Sequence, residues 1–192
     1  MRFLDREAEM RRLVNLGSQE AGGLGLIWGR RRVGKTRLLL EWVQRAGGLY
    51  TVSDQSAEAV QRRYFAEAIS SVIEGFAQVE YPDWRSLLGA LARQARQVGW
   101  RGPLVIDELP YLVATSPALP SVLQGFVDHE ARQAGLCLAQ SVLSPAERGT
   151  RLRDARLRLP DLLLEFGRFD FRQQLAGGHA VSNVHQAPLH IP

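Results

Sequence analysis

The chain has 192 residues, carries a formal net charge of +4 and is 45% hydrophobic. This length fits one domain with or without a tail, and the composition is that of a globular protein rather than a disordered one. A single cysteine, Cys137, excludes an internal disulfide bond. No apolar run approaches the roughly 20 residues that a helix needs to cross a bilayer. We therefore expect a cytoplasmic protein without a membrane partner.

The basic residues are distributed unevenly. Of 24 basic residues, 23 are arginine and one is lysine, Lys35. The segment from Arg148 to Arg172 contains seven arginines and four acidic residues, so it holds +3 of the net charge. Because the remainder is nearly neutral, a basic field over the whole surface is not indicated. We interpret the run as a solvated face; the alternatives are a phosphate-facing or intersubunit arginine, with Arg153 as the candidate, and nucleic-acid backbone binding.

The spacing of apolar residues predicts helices in chain order. Apolar positions that recur every three to four residues indicate one buried face of a helix. Five segments show this pattern: the N-terminus to Leu16, 35–46, a helix capped by Asp54 or Ser56 that carries apolar residues from Val60 to Phe76, a helix capped by Asp83 that carries Trp84 to Val98, and 122–131. The proline-rich stretch from Pro110 to Pro120 is predicted to be a loop.

Short apolar runs bounded by glycine, proline or polar residues predict five strands at 24–28, 49–52, 103–106, 135–142 and 162–166. Strands that alternate with amphipathic helices favour an α/β fold with a mostly parallel sheet covered by helices on both faces. We expect residues 1–176 to form one core domain. The last residues, 177–192, have no periodicity and are predicted to be a poorly ordered tail.

One segment matches the phosphate-binding pattern G-x-x-x-x-G-K-[ST] at every fixed position. It reads Gly29, Arg30, Arg31, Arg32, Val33, Gly34, Lys35 and Thr36, and we expect these residues and the following Arg37 to bind the phosphate-bearing ligand. Glycines allow backbone N–H groups to turn inward toward phosphate oxygens, and the helix N-terminus adds partial positive charge. We expect Lys35 to reach the β- and γ-phosphates and the Thr36 hydroxyl to ligate Mg²⁺.

A second motif lies 71 residues beyond Thr36, where an apolar strand ends in Asp107 and Glu108. A carboxylate at the carboxyl end of a strand is placed to lie beside the phosphate loop. We expect Asp107 to hold Mg²⁺ through water and Glu108 to orient and deprotonate an attacking water molecule. Adjacent residues of an extended strand point to opposite sides, so both acids act together only where the pleat relaxes.

These motifs, in this order, resemble the archaeal-type ATPase family of the AAA+/STAND class of P-loop NTPases. The segments that carry the resemblance are F-x-D-R-E-x-E from Phe3, the run from Trp28 to Thr36, the run from Ile106 to Leu112, and similar blocks at 119–124 and 169–173. The resemblance implies a RecA-like sheet with the acidic strand beside the strand of the phosphate loop, and ATP and Mg²⁺ as ligands. It also makes Arg6 and Glu7 candidates for contacts with the nucleotide base.

The chain departs from that family in two places. Relatives end the strand after the acidic motif in a small polar residue that senses the γ-phosphate, and here Gln140 or Ser141 is the candidate. The chain also stops where a helical lid is expected to begin, so the resemblance indicates an ATPase core without its lid. A homo-oligomer or an unknown protein partner would then supply an arginine finger.

The leading hypothesis is Mg²⁺-dependent hydrolysis of ATP by water attack, with Lys35 and Glu108 as catalytic residues. Its first alternative is a nucleotide switch or remnant that binds ATP without significant turnover, because a sensor and an arginine finger are each worth orders of magnitude in rate. The others are a small-molecule kinase built on the same loop and a DNA-binding module.

Overall fold

The computed structural model of the protein describes residues 6–18, 23–29, 34–143 and 168–171. Five strands in these ranges form one sheet: β1 (Gly23–Gly29), β2 (Leu49–Val52), β3 (Leu104–Asp107), β4 (Cys137–Leu143) and β5 (Arg168–Phe171). Their order across the sheet is β2-β3-β4-β1-β5, and each neighbouring pair is parallel. The carboxyl ends of these strands therefore meet at one edge of the sheet.

Helices connect the strands from β1 to β4, as a parallel sheet requires, and one more helix precedes β1. They are α1 (Glu7–Gly17), α2 (Lys35–Ala46), α3 (Glu58–Ile69), α4 (Trp84–Val98), α5 (Leu109–Thr115), α6 (Leu119–Gly125) and α7 (Arg132–Ala134). A 3₁₀ turn at Phe76–Gln78 precedes α4, and a π-helical turn at Phe126–Ala131 joins α6 to α7. None of the helices in the described ranges is long and apolar enough to cross a bilayer.

Strand alternation divides the interior into two apolar clusters. Val105, Cys137 and Ala139 pack with residues of α1 and α2 in the smaller cluster. Their strand neighbours Leu104 and Leu138 belong to the larger cluster, which includes residues of α3, α4, α5 and α6. Successive side chains of a strand point to opposite faces, so both faces of the sheet are covered. The predicted α/β fold with helices on both faces is confirmed.

The expected neighbourhood of the acidic strand is wrong. β3 does not lie beside β1, because β4 lies between them and pairs with both. Adjacent strands are about 4.8 Å apart, so β1 and β3 are separated by roughly 9.5 Å. The first turn of α2 must bridge that gap for the two motifs to meet.

The proline-rich stretch is helical, contrary to the prediction of a loop. It includes α5 from its second residue and the first two residues of α6, with a short turn at 116–118 between them, and Pro110 and Pro120 are each the second residue of their helix. Proline is tolerated there because the first backbone N–H groups of a helix have no partner within the helix. The prolines therefore mark where helices begin rather than where the chain lacks structure.

The helix predicted to reach Phe76 ends earlier. α3 stops at Ile69, and the Ser70 hydroxyl donates to the Ala66 carbonyl oxygen at 3.2 Å and accepts from the Ala77 backbone N–H at 2.9 Å. These contacts stabilise a turn that competes with continued helix. Ile73 and Phe76 remain in the core although they are not in α3.

The two predicted caps have different outcomes. Asp83 caps α4 as predicted, since its Oδ1 accepts from the Ser86 backbone N–H at 2.7 Å. Neither Asp54 nor Ser56 caps α3, whose N-cap is Ala57. Asp54 Oδ1 instead accepts from the Ser56 backbone N–H at 2.8 Å and so closes a local turn before the helix. The strand predicted at 162–166 and the tail predicted at 177–192 lie outside the described residues.

Candidate functional site

The phosphate-loop motif joins the carboxyl end of β1 to the first turn of α2. β1 ends at Gly29, and Gly34 is the N-cap of α2 with φ +82°. Side chains rarely adopt such a φ, so this position favours glycine for its backbone conformation, although no atom would crowd an added Cβ. Lys35 follows as the first residue of α2 and is only 7% exposed. The intervening residues, Arg30, Arg31, Arg32 and Val33, lie outside the described residues.

The acidic motif meets α2 at a hydrogen bond. The Thr36 hydroxyl donates to Asp107 Oδ2 at 2.8 Å. Asp107 is only 3% exposed and is the last residue of β3. It lies two residues beyond Val105, which packs in the cluster with α2, so strand alternation turns its side chain to the α2 face. The two motifs therefore come together even though β4 separates their strands.

Tyr50 is a third member of this group that the sequence analysis missed. Its phenol hydroxyl donates to Asp107 Oδ2 at 2.6 Å, while its ring lies against the smaller apolar cluster. Burial, followed by the hydrogen bond to Asp107, raises the pKa of Tyr50 well above its usual range. The phenol therefore stays protonated and remains a donor. The sequence does place an aromatic residue with a hydroxyl group in the predicted strand 49–52. Its hydrogen-bond partner, however, depends on the register of β2 against β3, which the sequence does not show.

Glu108 leaves the strand in an unusual conformation. Its φ is 57° and its ψ is 40°, which places it in the left-handed region, and it is the single non-glycine residue with positive φ in the described ranges. Its backbone N–H donates to Asp107 Oδ1 at 3.0 Å. A glutamate held in this sparsely populated region carries local strain, which is typical of functional sites. The sequence-based expectation that the pleat relaxes after Asp107 is confirmed.

The donor set fits a hard divalent cation that is completed by phosphate oxygens. Mg²⁺ is usually held by one or two protein oxygens together with water and substrate phosphates, rather than by a cage of side chains. Thr36 and Asp107 supply such oxygens in direct contact with each other. The described part of the chain contains no group of three or more His, Cys, Asp or Glu side chains that could hold a metal ion.

The remaining predicted residues are spread more widely. Arg6 is the N-cap of α1 and is half-buried, and Arg37 is exposed in the first turn of α2. Gln140 and Ser141 lie within β4, which continues to Leu143 and so does not end at either residue. Gln140 pairs with Ile106 of β3. Arg153 lies outside the described ranges.

Comparison with known proteins gives a family for the chain. A family model described as an ATPase domain predominantly from Archaea matches residues 3–149. An uncharacterized protein of Methanocaldococcus jannaschii is 27% identical over 126 residues, which cover 66% of this chain and 26% of that protein. The chain thus spans about a quarter of that relative.

Solved structures share the fold. A Walker-type ATPase of Pyrococcus abyssi is similar with a TM-score of 0.57 and 19% identity, over 72% of this chain and 45% of that one. The structure of Drosophila ORC bound to DNA is similar with a TM-score of 0.54 and 17% identity, over 76% of this chain and 39% of that one. The ORC2 protein of Aeropyrum pernix, in its ADPNP–ADP complexes, is similar with a TM-score of 0.50 and 19% identity, over 86% of this chain and 47% of that one. At these identities the likeness concerns the RecA-like fold.

The family match spans most of the chain and includes both motifs that meet at Asp107. The chain therefore belongs to the family of nucleotide-binding ATPase domains found predominantly in Archaea.

Proposed function

We propose that this chain binds ATP with Mg²⁺ between the first turn of α2 and the carboxyl end of β3, and that it hydrolyses the γ-phosphate. The observation that carries the proposal is the 2.8 Å hydrogen bond from Thr36 to Asp107, which joins residues 71 positions apart. A phosphate-loop threonine that donates its proton to a buried carboxylate presents its lone pairs outward, where a cation bound to phosphate is expected.

Binding would be performed by groups on α2 and the preceding loop. The backbone N–H groups at the start of α2 point along the helix axis and favour an anion at that end. Lys35 adds a full positive charge at the first position of this helix. Thr36 Oγ1 and Asp107 would hold Mg²⁺, which neutralises phosphate charge when bound. These roles explain why the chain keeps a buried lysine beside a glycine with positive φ.

Hydrolysis would depend on Glu108. In this step the oxygen of water forms a bond to the γ-phosphorus, while the bond from that phosphorus to the β–γ bridging oxygen breaks. The Glu108 carboxylate takes a proton from the attacking water, and ADP and phosphate are released. The left-handed backbone at Glu108 supports this role, because it turns the residue out of the strand at the same edge as Asp107 and Thr36.

Titration calorimetry with ATP, in Mg²⁺ and in EDTA, tests the binding half of the proposal. Lys35→Ala is expected to weaken ATP binding roughly 100-fold, which corresponds to the loss of a charge-assisted contact of about 3 kcal/mol. Arg45→Ala is the matched control, since Arg45 is an exposed cation of the same helix that pairs with Glu41. Equal losses in the two variants would contradict the proposed site.

Steady-state phosphate release tests the catalytic half. Glu108→Gln is expected to lower the rate by about 10² to 10⁴ while ATP binding is retained. Tight ATP binding with equal, negligible release by the wild-type chain and this variant would instead identify a nucleotide switch without turnover.

A further inference from the structure

Thr36 and Tyr50 both donate to Asp107 Oδ2, and the proposed function assigns a role to Thr36 and Asp107 but none to Tyr50. Tyr50 belongs to β2, which is the last strand at its side of the described sheet. Its hydroxyl shares Asp107 Oδ2 with Thr36, at 2.6 Å and 2.8 Å respectively. The same oxygen therefore accepts one hydrogen bond from β2 and one from the first turn of α2.

β2 also holds the backbone of Asp107. Val52 is level with Asp107 in the parallel register, and the Ser53 backbone N–H donates to the Asp107 carbonyl oxygen at 3.0 Å. β2 and the residue that follows it thus contact Asp107 at its carboxylate and at its main chain. The position and the rotation of that carboxylate both depend on this strand.

The rotation of a carboxylate is a soft coordinate unless hydrogen bonds fix it. The last torsion of an aspartate is broad and roughly two-fold, so either oxygen can face a given partner. Here Oδ1 accepts from the Glu108 backbone N–H, and Oδ2 accepts from Thr36 and Tyr50. A carboxylate offers about four lone-pair positions, and these donors meet at least three of them. Chelation of a metal by both oxygens would break contacts that the fold already makes.

We propose that Tyr50 is a positioning residue, whose hydroxyl fixes Asp107 Oδ2 against Thr36 so that the carboxylate meets Mg²⁺ in one orientation. This role rests on the proposed function, because it concerns the same cation. It assigns to β2 a part in metal binding, although β2 holds no residue of either sequence motif. In this role the phenol acts through Asp107, whose Oδ2 it contacts at 2.6 Å.

The test compares the Mg²⁺ dependence of ATP binding in Tyr50→Phe with that in the wild-type chain. The variant keeps the ring in the apolar cluster and removes only the hydroxyl. We expect ATP affinity in EDTA to stay unchanged, and the gain in affinity on adding Mg²⁺ to fall about tenfold, as is usual when a residue that orients a metal ligand is lost. Tyr64→Phe is the matched control, because Tyr64 is an exposed tyrosine of α3.

A second measurement uses the ligand-free chain. If Tyr50 acts through Asp107, the losses of melting temperature in Tyr50→Phe and Asp107→Ala should not add in the double variant, because both remove the same contact. The role of Tyr50 would be overturned if the two losses of melting temperature add. It would also be overturned if Mg²⁺ raises the ATP affinity of Tyr50→Phe as much as it raises that of the wild-type chain. Neither result would contradict the proposed binding of ATP. Loss of ATP binding in the wild-type chain itself would overturn the proposed function, and with it this role.

Discussion

The carboxyl ends of the strands form one edge of the sheet and their amino ends form the opposite edge, and the two edges differ in the groups that they bring together. The carboxyl edge gathers polar side chains with little exposure, among them Lys35 and Asp107. The amino edge brings backbone against backbone, where Gly48 begins the approach to β2 and Gly102 the approach to β3. An added Cβ on Gly102 would lie 2.8 Å from Gly48 Cα. The Trp100 indole N–H closes this edge by donating to the Gly47 carbonyl oxygen at 2.8 Å.

The difference separates two uses of a parallel sheet. At the carboxyl edge, side-chain chemistry decides what the site can bind, and ligands of open α/β sheets are bound at this end of the strands. At the amino edge, close packing fixes the spacing and register of the strands and leaves little room for side chains. Substitutions at the amino edge should therefore change stability without changing binding, whereas loss of buried polar contacts at the carboxyl edge should change both.

The largest expected effect is that of Gly102→Ala at the amino edge. Its new methyl group would meet the Gly47 carbonyl carbon and Gly48 Cα, each at 2.8 Å, and backbone atoms cannot rotate away as a side chain would. We expect the free energy of unfolding to fall by about 3 kcal/mol, as for severe overpacking, with ATP affinity unchanged while the chain is folded. Denaturant unfolding and calorimetry measure the two quantities.

The control for this change is Gly125→Ala at the end of α6, where nothing lies within 4 Å of an added Cβ. It should be neutral or slightly stabilising, because alanine is the better helix former. A weakened ATP affinity in folded Gly102→Ala would show that the two edges are not independent.

The sequence predicts the two edges unequally. The glycine and lysine positions of the phosphate loop and the Asp107–Glu108 pair are local patterns, and the structure brings Thr36 and Asp107 together as those patterns suggest. The strand order is not local, since nothing near β3 in the chain indicates that β4 will lie between it and β1. Tyr50 was missed for the same reason, because its partner is set by pairing between strands.

Short helices were also difficult to predict. α5 and α6 have seven residues each, too few for apolar periodicity to outweigh three prolines in the stretch from Pro110 to Pro120. α3 ended early because side-chain hydrogen bonds of Ser70 compete with the helix, and such bonds depend on the position of Ala77 in the folded chain. In both cases contacts made on folding decided between local alternatives.

A smaller effect is expected from Gln61→Leu, near the carboxyl edge. Gln61 is 4% exposed, and its amide donates to the Ser56 carbonyl oxygen at 3.0 Å and to the Thr115 hydroxyl at 3.2 Å. It thereby joins the segment that follows β2 to the end of α5, the helix whose N-cap is Glu108. We expect the free energy of unfolding to fall by about 2 kcal/mol, because buried polar groups lose their hydrogen-bond partners.

Unlike the amino-edge change, this substitution should also weaken Mg²⁺-dependent ATP binding, since it loosens segments that follow β2 and Glu108. Gln133→Leu is the matched control, because Gln133 is exposed and contacts only the Arg96 guanidinium, at 3.4 Å, among the contacts described for it. Unchanged ATP binding in Gln61→Leu would show that the network supports stability alone.

The smallest effect is a pH dependence of the free energy of unfolding that is caused by Cys137, the first residue of β4 at the amino edge. Burial raises the pKa of this thiol from 9.0 to about 12. Because the folded-state pKa is the higher one, the thiol's contribution to stability is fully present below pH 9 and is lost as the pH rises toward 12. Between pH 9 and pH 10 we expect the free energy of unfolding to fall by about 1 kcal/mol from this group.

The single cysteine makes this prediction simple to measure. Denaturant unfolding at pH 8, 9 and 10 should show a steeper decline for the wild-type chain than for Cys137→Val, which removes the titrating thiol but keeps an apolar side chain of similar size. Alkylation of the native chain at pH 9 should be slow, since the thiolate forms only when the amino edge opens, and Gly102→Ala should accelerate it. Fast alkylation of the stable wild-type chain would contradict the close packing on which the contrast between the two edges depends.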